Sequence, residues 1–128
     1  MESVPIGDEW VTTDDAIAVR SPYDGHELGQ VPSCEADHVA RAVAAAVEAR
    51  RRPFPAWERA AVLDRAAGLL AERVEQFART IAEEAAKPIK TARVEAQRAV
   101  STFTFAAAEA RTLAGRMVPM DASEAGAG

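Results

Sequence analysis

The chain has 128 residues, enough for one domain at most or for part of a larger one. Acidic side chains exceed basic ones and give a net charge of -5, with the two signs interspersed. This balance argues against a dedicated nucleic-acid surface, and we expect no nucleic-acid partner. Leu, Ile, Val and Phe together number only 25, so we expect real helices around a thin core.

The cysteine count and the lack of a targeting pattern both bear on where the protein is located. Cys34 is the single cysteine, which excludes an internal disulfide. The N-terminus lacks a basic region followed by an apolar run, and no stretch reaches membrane-spanning length. The sequence therefore predicts a soluble cytoplasmic protein with no membrane partner.

The first 32 residues are typical of short strands and turns. A strand is expected over 9–11, and a hairpin is expected to pair Ala16–Ser21 with Glu27–Val31. Between these strands, Pro22 fixes φ and Gly25 permits a positive φ, which is strong turn chemistry.

Four helices are predicted to follow. Ser33 is the expected N-cap of the first, which stops at Pro53-Phe54-Pro55. Its apolar stripe comprises Val39, Val43, Ala46 and Val47. The second helix begins near Trp57 and is expected to bury Leu63, Ala66, Ala67, Leu70 and Val74. The third places Phe77, Ile81 and Ala85 on one face, and Lys87-Pro88 ends it.

The fourth helix is the longest, starting at Pro88, with Gly115 as the residue after its end. A narrow seam of mainly small residues runs along it: Ala92, Ala96, Ala99, Phe103, Ala106, Ala110 and Leu113. Such a seam favours the close approach of another element. The expected fold class is mostly α with a small N-terminal β-hairpin.

No complete catalytic constellation is visible. Cys34 adjoins a predicted helix N-terminus, which would favour its thiolate, but the sequence identifies no base beside it, so an incidental small residue is the preferred interpretation. His26, expected in the hairpin turn, and His38, expected on the exposed face of the first helix, lack metal-ligand spacing. There is no glycine-rich phosphate loop. We predict no catalytic, cofactor-binding or metal-binding residue on this chain.

The ordered motifs nevertheless resemble the N-terminal part of the aldehyde dehydrogenase superfamily. Segment 21–32 (SPYDGHELGQVP) resembles the family's N-P-x-T-G…G-x-V-P hairpin, and 42–46 (AVAAA) resembles its first helix. Trp57, Arg59 and 62–63 resemble the region around its W-x-x-x-x-x-x-R-x-x-x-L pattern, and 84–88 (EAAKP) resembles E-x-G-K-P with Ala86 in place of glycine. Segments 102–106 and 115–121 are similar to the end of the long helix and the next strand. Residues 92–95, 98–99 and 102–103 look closest to the lactaldehyde, non-phosphorylating glyceraldehyde-3-phosphate and phosphonoacetaldehyde branch.

The resemblance implies an N-terminal portion of an α/β enzyme that oxidises an aldehyde to an acid with NAD or NADP. It implies three parts: N-terminal strands and turns (1–32), the helical part of the cofactor-binding domain (33–115) and the start of a strand (116–128). It implies a homo-oligomer when full length. The family's catalytic and main cofactor-binding residues lie downstream, so this chain alone is expected to be inactive and to hold no cofactor.

By the same resemblance, Val94 and Arg98 match positions that face the substrate tunnel. Arg98 could bind an anionic group of a small-molecule aldehyde through a bidentate contact. The alternative is a surface arginine paired with Glu95 or with another helical neighbour. At the level of the whole chain, the alternative to an enzyme portion is a non-catalytic helical module that uses the small-residue seam for assembly.

Overall fold

The computed structural model describes residues 2–126, which form two pairs of antiparallel strands, four α-helices and two short 3₁₀ turns. The strands are β1 (Val4–Ile6), β2 (Glu9–Val11), β3 (Ala16–Arg20) and β4 (Glu27–Pro32). The helices are α1 (Ala36–Arg51), α2 (Ala56–Glu72), α3 (Val74–Ala85) and α4 (Ile89–Thr112). The predicted fold class, mostly helical with a small N-terminal hairpin, is confirmed.

The β1–β2 pair contains one element that the sequence reasoning missed. The strand over 9–11 is confirmed, but its partner β1 was not predicted. In the structure Pro5 lies opposite Trp10 in a sheet of only two strands. Gly7, with φ of +62°, begins the tight turn between them.

The β3–β4 hairpin lies where it was expected, within one residue at each strand end. Its turn is closed by the Gly25 N–H, which donates to the Ser21 carbonyl at 2.8 Å. Gly25 has φ of +77°, the left-handed conformation that glycine adopts without strain. Ser21 is buried, and its hydroxyl accepts from the Tyr23 N–H at 3.3 Å.

Helix α1 begins two residues later than predicted. The Ser33 N–H donates to the Asp15 carbonyl at 2.9 Å, so Ser33 still belongs to the extended segment and is not the N-cap. Glu35 is the N-cap instead, and its N–H donates to His38 Nδ1 at 3.1 Å, an arrangement of the capping-box type. His38 is also half-buried at the start of the helix, so the prediction of an exposed His38 was wrong.

The helical core is built from small residues, as the composition predicted. Helix α4 packs against α2 and α3. The buried residues of the four helices are seven alanines: Ala60, Ala67, Ala78, Ala92, Ala96, Ala107 and Ala110. Alanine side chains let helix axes approach closely but bury little apolar area. The core is therefore tightly spaced and thin.

Several larger residues of the predicted faces are less buried than expected. The valine stripe of α1 is exposed, and so is Leu113, which follows the end of α4. Leu63, Ala66, Leu70 and Val74 are only half-buried. In α3, Ala78 is the buried residue, whereas Phe77 and Ala85 are exposed. Periodicity predicted these apolar faces, but it could not show which of them meets a neighbour.

The junction between α3 and α4 holds an unusual conformation. Ala86 has φ of 50° and ψ of 35°, which makes it the only non-glycine residue with positive φ among those described. This geometry lets the Lys87 N–H reach the Ala82 carbonyl at 3.2 Å and closes the end of α3. Ala86, which stands where the family motif has glycine, thus forms a left-handed cap.

The C-terminal segment differs in detail from the prediction. Helix α4 ends at Thr112, and Leu113 continues with φ of -58° and ψ of 106°. Gly115 has no positive φ and does not cap the helix. Short 3₁₀ turns form at Met120–Ala122 and Glu124–Gly126. The strand predicted over 116–128 stays a prediction, because a strand needs a partner to form. Residues 127 and 128 of this segment lie outside the described residues. The same is true of residue 1 in the segment 1–32.

Candidate functional site

The two predicted tunnel residues, Val94 and Arg98, line one groove on the surface of α4. Its lining is completed by Thr91, Glu95, Ala99 and Thr102, so all six lining residues belong to α4, and the groove is open to solvent with a volume of about 480 Å³. Thr91, Val94, Arg98 and Thr102 follow one another at steps of three and four residues, so they share one helix face. The sequence reasoning missed both threonines, although this spacing was available to find them.

The groove lies on the side of α4 that faces away from the packed core. At about 100° per residue, Val94 and Arg98 point opposite to Ala92, Ala96 and Ala110, which are buried against the other helices. Val94 remains 53 % exposed. Helix α4 therefore has two different sides: one packs against the other helices, and the other carries the groove.

The charged neighbours of Arg98 are engaged elsewhere. The Glu95 carboxylate contacts the Lys87 ammonium, and the Glu95–Arg98 pair considered as the alternative role of Arg98 does not form. Among residues 2–126, no carboxylate forms an ion pair with the Arg98 guanidinium. Thr102 donates its hydroxyl to the Arg98 carbonyl at 3.0 Å, which is a contact within the helix backbone. The five N–H donors of Arg98 thus remain available to a ligand.

Arg93, five residues before Arg98, has a structural role. Its Nε and a terminal nitrogen donate to the two carboxylate oxygens of Glu75 on α3, at 2.8 and 2.9 Å. This bidentate contact lowers the pKa of Glu75 and raises the pKa of Arg93. Arg93 therefore joins α4 to α3, and it is Arg98 that faces the groove without such a partner.

Cys34 lies in a small groove of about 190 Å³ together with His38 and the residues of β1. Its side chain is exposed. His38 already accepts the Glu35 N–H through Nδ1, so that nitrogen is not free to act as a base toward the thiol. His38 therefore caps the start of α1, and the interpretation of Cys34 as an incidental residue stays a prediction.

His26 lies next to the hairpin turn, as predicted. Its Nδ1 is 2.6 Å from Asp24 Oδ1, and this side-chain hydrogen bond is the main reason why the pKa of Asp24 is lowered. The structure brings together no group of three His, Cys, Asp or Glu side chains able to hold a metal ion within the described range 2–126. The same range contains no helix long and apolar enough to cross a membrane.

Comparison with known proteins decides the family. The model of the aldehyde dehydrogenase family matches residues 10–127, which is most of the chain. The chain belongs to the aldehyde dehydrogenase family. The match supports the enzyme portion over the independent assembly module, because it spans the β3–β4 hairpin and all four helices rather than the α4 seam alone.

Three relatives show how much of an aldehyde dehydrogenase this chain represents. It is 35 % identical to the 3-sulfolactaldehyde dehydrogenase of Priestia megaterium over 92 % of its own length and 25 % of that enzyme. It is 30 % identical to the lactaldehyde dehydrogenase of Methanococcus aeolicus, over 91 % of this chain and 25 % of the relative. The crystal structure of aldehyde dehydrogenase 21 from Physcomitrella patens in complex with the reaction product succinate superposes with a TM-score of 0.87. That likeness has 32 % identity and covers 99 % of this chain and 27 % of the other.

The chain thus spans about a quarter of the length of the aldehyde dehydrogenases it matches, and it is their N-terminal portion. Proteins that match over this region include one named as NAD-dependent and one named for NADP(+). The residues described here do not fit a dinucleotide on their own. Their strands pair only as antiparallel pairs, and no glycine-rich turn leads from a parallel strand into a helix.

Proposed function

We propose that the whole protein oxidises an aldehyde to an acid with NAD or NADP, and that this chain supplies scaffold and one wall of the substrate site. Residues 33–115 would form the helical part of the cofactor-binding domain. Residues 1–32 would supply its strands and turns, and 116–128 the start of a strand that pairs with further polypeptide. The match to the N-terminal quarter of aldehyde dehydrogenases supports this division.

The isolated chain is proposed to be inactive and to hold no cofactor. Aldehyde oxidation in this family needs a cysteine nucleophile, hydrogen-bond donors for its oxyanion and a held nicotinamide. Cys34 is exposed, and it does not match the family's catalytic position, which lies downstream. We also propose that the whole protein works in the cytoplasm as a homo-oligomer, which the family resemblance supports.

For the substrate, we propose that Arg98 binds an anionic group of the aldehyde while Val94 provides an apolar wall. The observation that carries this proposal is an exposed arginine without a carboxylate partner in a groove beside a half-exposed valine. A guanidinium presents paired donors that fit a carboxylate, sulfonate or phosphate. Among the relatives, 3-sulfolactaldehyde carries a sulfonate and succinate is a dicarboxylate, whereas lactaldehyde has no anionic group.

The inactivity of the isolated chain is tested by mixing it with NAD or NADP and an aldehyde and recording absorbance at the NAD(P)H band. We expect no aldehyde-dependent signal. A chimera in which this chain replaces the matched quarter of the Priestia megaterium enzyme is the positive control, and it should produce NAD(P)H. Turnover by the isolated chain that is lost in Cys34→Ala would contradict the proposal.

A further inference from the structure

Lys87 has a fixed position at the junction between α3 and α4. Its N–H donates to the Ala82 carbonyl at 3.2 Å, which the left-handed backbone of Ala86 makes possible. Pro88 follows directly and disfavours a helical backbone at Lys87. The side chain of Lys87 is only 34 % exposed. Because the backbone is held from both sides and the side chain is largely covered, the ammonium group has a defined direction.

The Lys87 ammonium reaches the groove side of α4. It donates to the carboxylate of Glu95, which lies eight residues further along the chain. Glu95 and Arg98 both line the groove, and they lie three residues apart on the helix. Opposite charges at this spacing attract each other. Lys87 therefore holds a carboxylate of the groove lining that could otherwise pair with Arg98.

The contact also determines the charge that an incoming anion would meet. A free Glu95 carboxylate would repel an anionic substrate and would compete with it for the N–H donors of Arg98. With the Lys87 ammonium bound to it, Glu95 is neutralised, and the positive charge of Arg98 is left to act on the ligand. Within residues 2–126 no other cation forms an ion pair with Glu95, so this neutralisation depends on Lys87.

We propose that Lys87 is a positioning residue of the anion site: it holds the Glu95 carboxylate so that the Arg98 guanidinium stays free for the anionic group of the aldehyde. The inference rests on the proposed function of Arg98. It adds a residue that lies outside the groove lining and acts on the substrate only through Glu95 and Arg98. Breaking the Lys87–Glu95 contact from its two ends should therefore have opposite consequences.

The test uses the chimera with the Priestia megaterium enzyme and compares KM for 3-sulfolactaldehyde with KM for lactaldehyde. Lys87→Met leaves Glu95 charged and should raise KM for the anionic aldehyde by about threefold to tenfold, the effect of one nearby unit charge at a protein surface. Glu95→Gln breaks the same contact but removes the carboxylate, so this KM should fall instead. The double variant should return KM to the value of the unmodified chimera. KM for lactaldehyde should change little in all three variants.

Two further variants serve as controls. Lys87→Arg retains a cation at the junction and should raise KM for 3-sulfolactaldehyde less than Lys87→Met does. Lys90→Met removes the same charge from an exposed position of α4 and should change this KM by less than about twofold. The kcat/KM for lactaldehyde shows whether each variant is folded, since that substrate does not need the anion site.

The inference is overturned if Lys87→Met leaves KM for 3-sulfolactaldehyde unchanged. It is also overturned if Lys87→Met and Glu95→Gln raise this KM equally, because a merely structural contact would behave in that way. Arg98→Ala separates these failures from a failure of the proposed function. If Arg98→Ala raises KM for the anionic aldehyde alone while Lys87→Met does not, only the inference fails. If Arg98→Ala affects both aldehydes equally or neither of them, Arg98 is not the anion site and both fail.

Discussion

The guanidinium of Arg93 on α4 donates to both carboxylate oxygens of Glu75 on α3, at 2.8 and 2.9 Å. Near the other end of α4, Arg111 forms an ion pair with Asp64 of α2 at 2.6 Å. Exposed pairs of this kind contribute little free energy individually. Their value here is geometric, because they fix the rotation of α4 so that its alanines face the core and Arg98 faces the groove.

The Arg93–Glu75 pair predicts a pH-dependent contribution to stability. Because the pKa of Glu75 is lowered in the folded chain, its contribution is complete above the ordinary glutamate value of about 4.3 and disappears as pH falls through the lower folded value. Glu75→Gln should therefore lower the urea midpoint slightly at pH 7 and leave it unchanged at pH 2. Glu72→Gln, at an exposed position of α2, is the control. If Glu75→Gln lowered the urea midpoint equally at pH 7 and pH 2, the charge of Glu75 would not be the cause of the stabilisation.

The left-handed Ala86 predicts a stabilising substitution. Glycine adopts this conformation without the steric cost that a Cβ brings, so Ala86→Gly should raise the free energy of unfolding by about 1 kcal/mol. Ala85→Gly, inside the last turn of α3, should lower it by about 0.5–1 kcal/mol. Urea denaturation followed by circular dichroism measures both. A loss of stability in Ala86→Gly would mean that residue 86 is not left-handed in solution.

The alanine seam predicts strong sensitivity to side-chain size. Ala107 has no exposed surface, whereas its neighbour Ala108 is exposed. Ala107→Leu should therefore overpack the contact of α4 with the other helices and cost about 1–3 kcal/mol. Ala108→Leu should change the free energy of unfolding by less than about 0.5 kcal/mol. Similar effects from the two substitutions, measured by thermal unfolding, would contradict the close approach of α4 to its neighbours.

Much of the fold was predictable because its signals are local. Proline and glycine mark the hairpin turn, and apolar periodicity together with Pro53, Pro55 and Pro88 locates the four helices. The errors arose where a neighbour in space decides the outcome. Ser33 is a good N-cap by type, but its N–H is taken by Asp15 across the hairpin. The valines of α1 form a helical stripe, yet Val39, Val43 and Val47 stay more than half exposed.

The candidate site was predictable only through resemblance to a family. Periodicity places Val94 and Arg98 on one face of α4, but it cannot show that this face carries a groove. Nor could it separate Arg98 from Arg93, because both are arginines on the same helix. The distinction lies in Glu75, 18 residues before Arg93, and in Lys87, whose contact with Glu95 leaves Arg98 unpaired.

Substrate discrimination by Arg98 is the most direct test of the functional account. In the chimera with the Priestia megaterium enzyme, kcat/KM is measured for 3-sulfolactaldehyde and for lactaldehyde, which lacks the sulfonate. Arg98→Ala should raise KM for the anionic aldehyde and lower its kcat/KM by about tenfold to a hundredfold, since a charge-assisted contact contributes about 1.5–3 kcal/mol. The value for lactaldehyde should change little, and Arg65→Ala, an exposed cation of α2, should alter neither. Equal losses for the two aldehydes in Arg98→Ala would contradict the account.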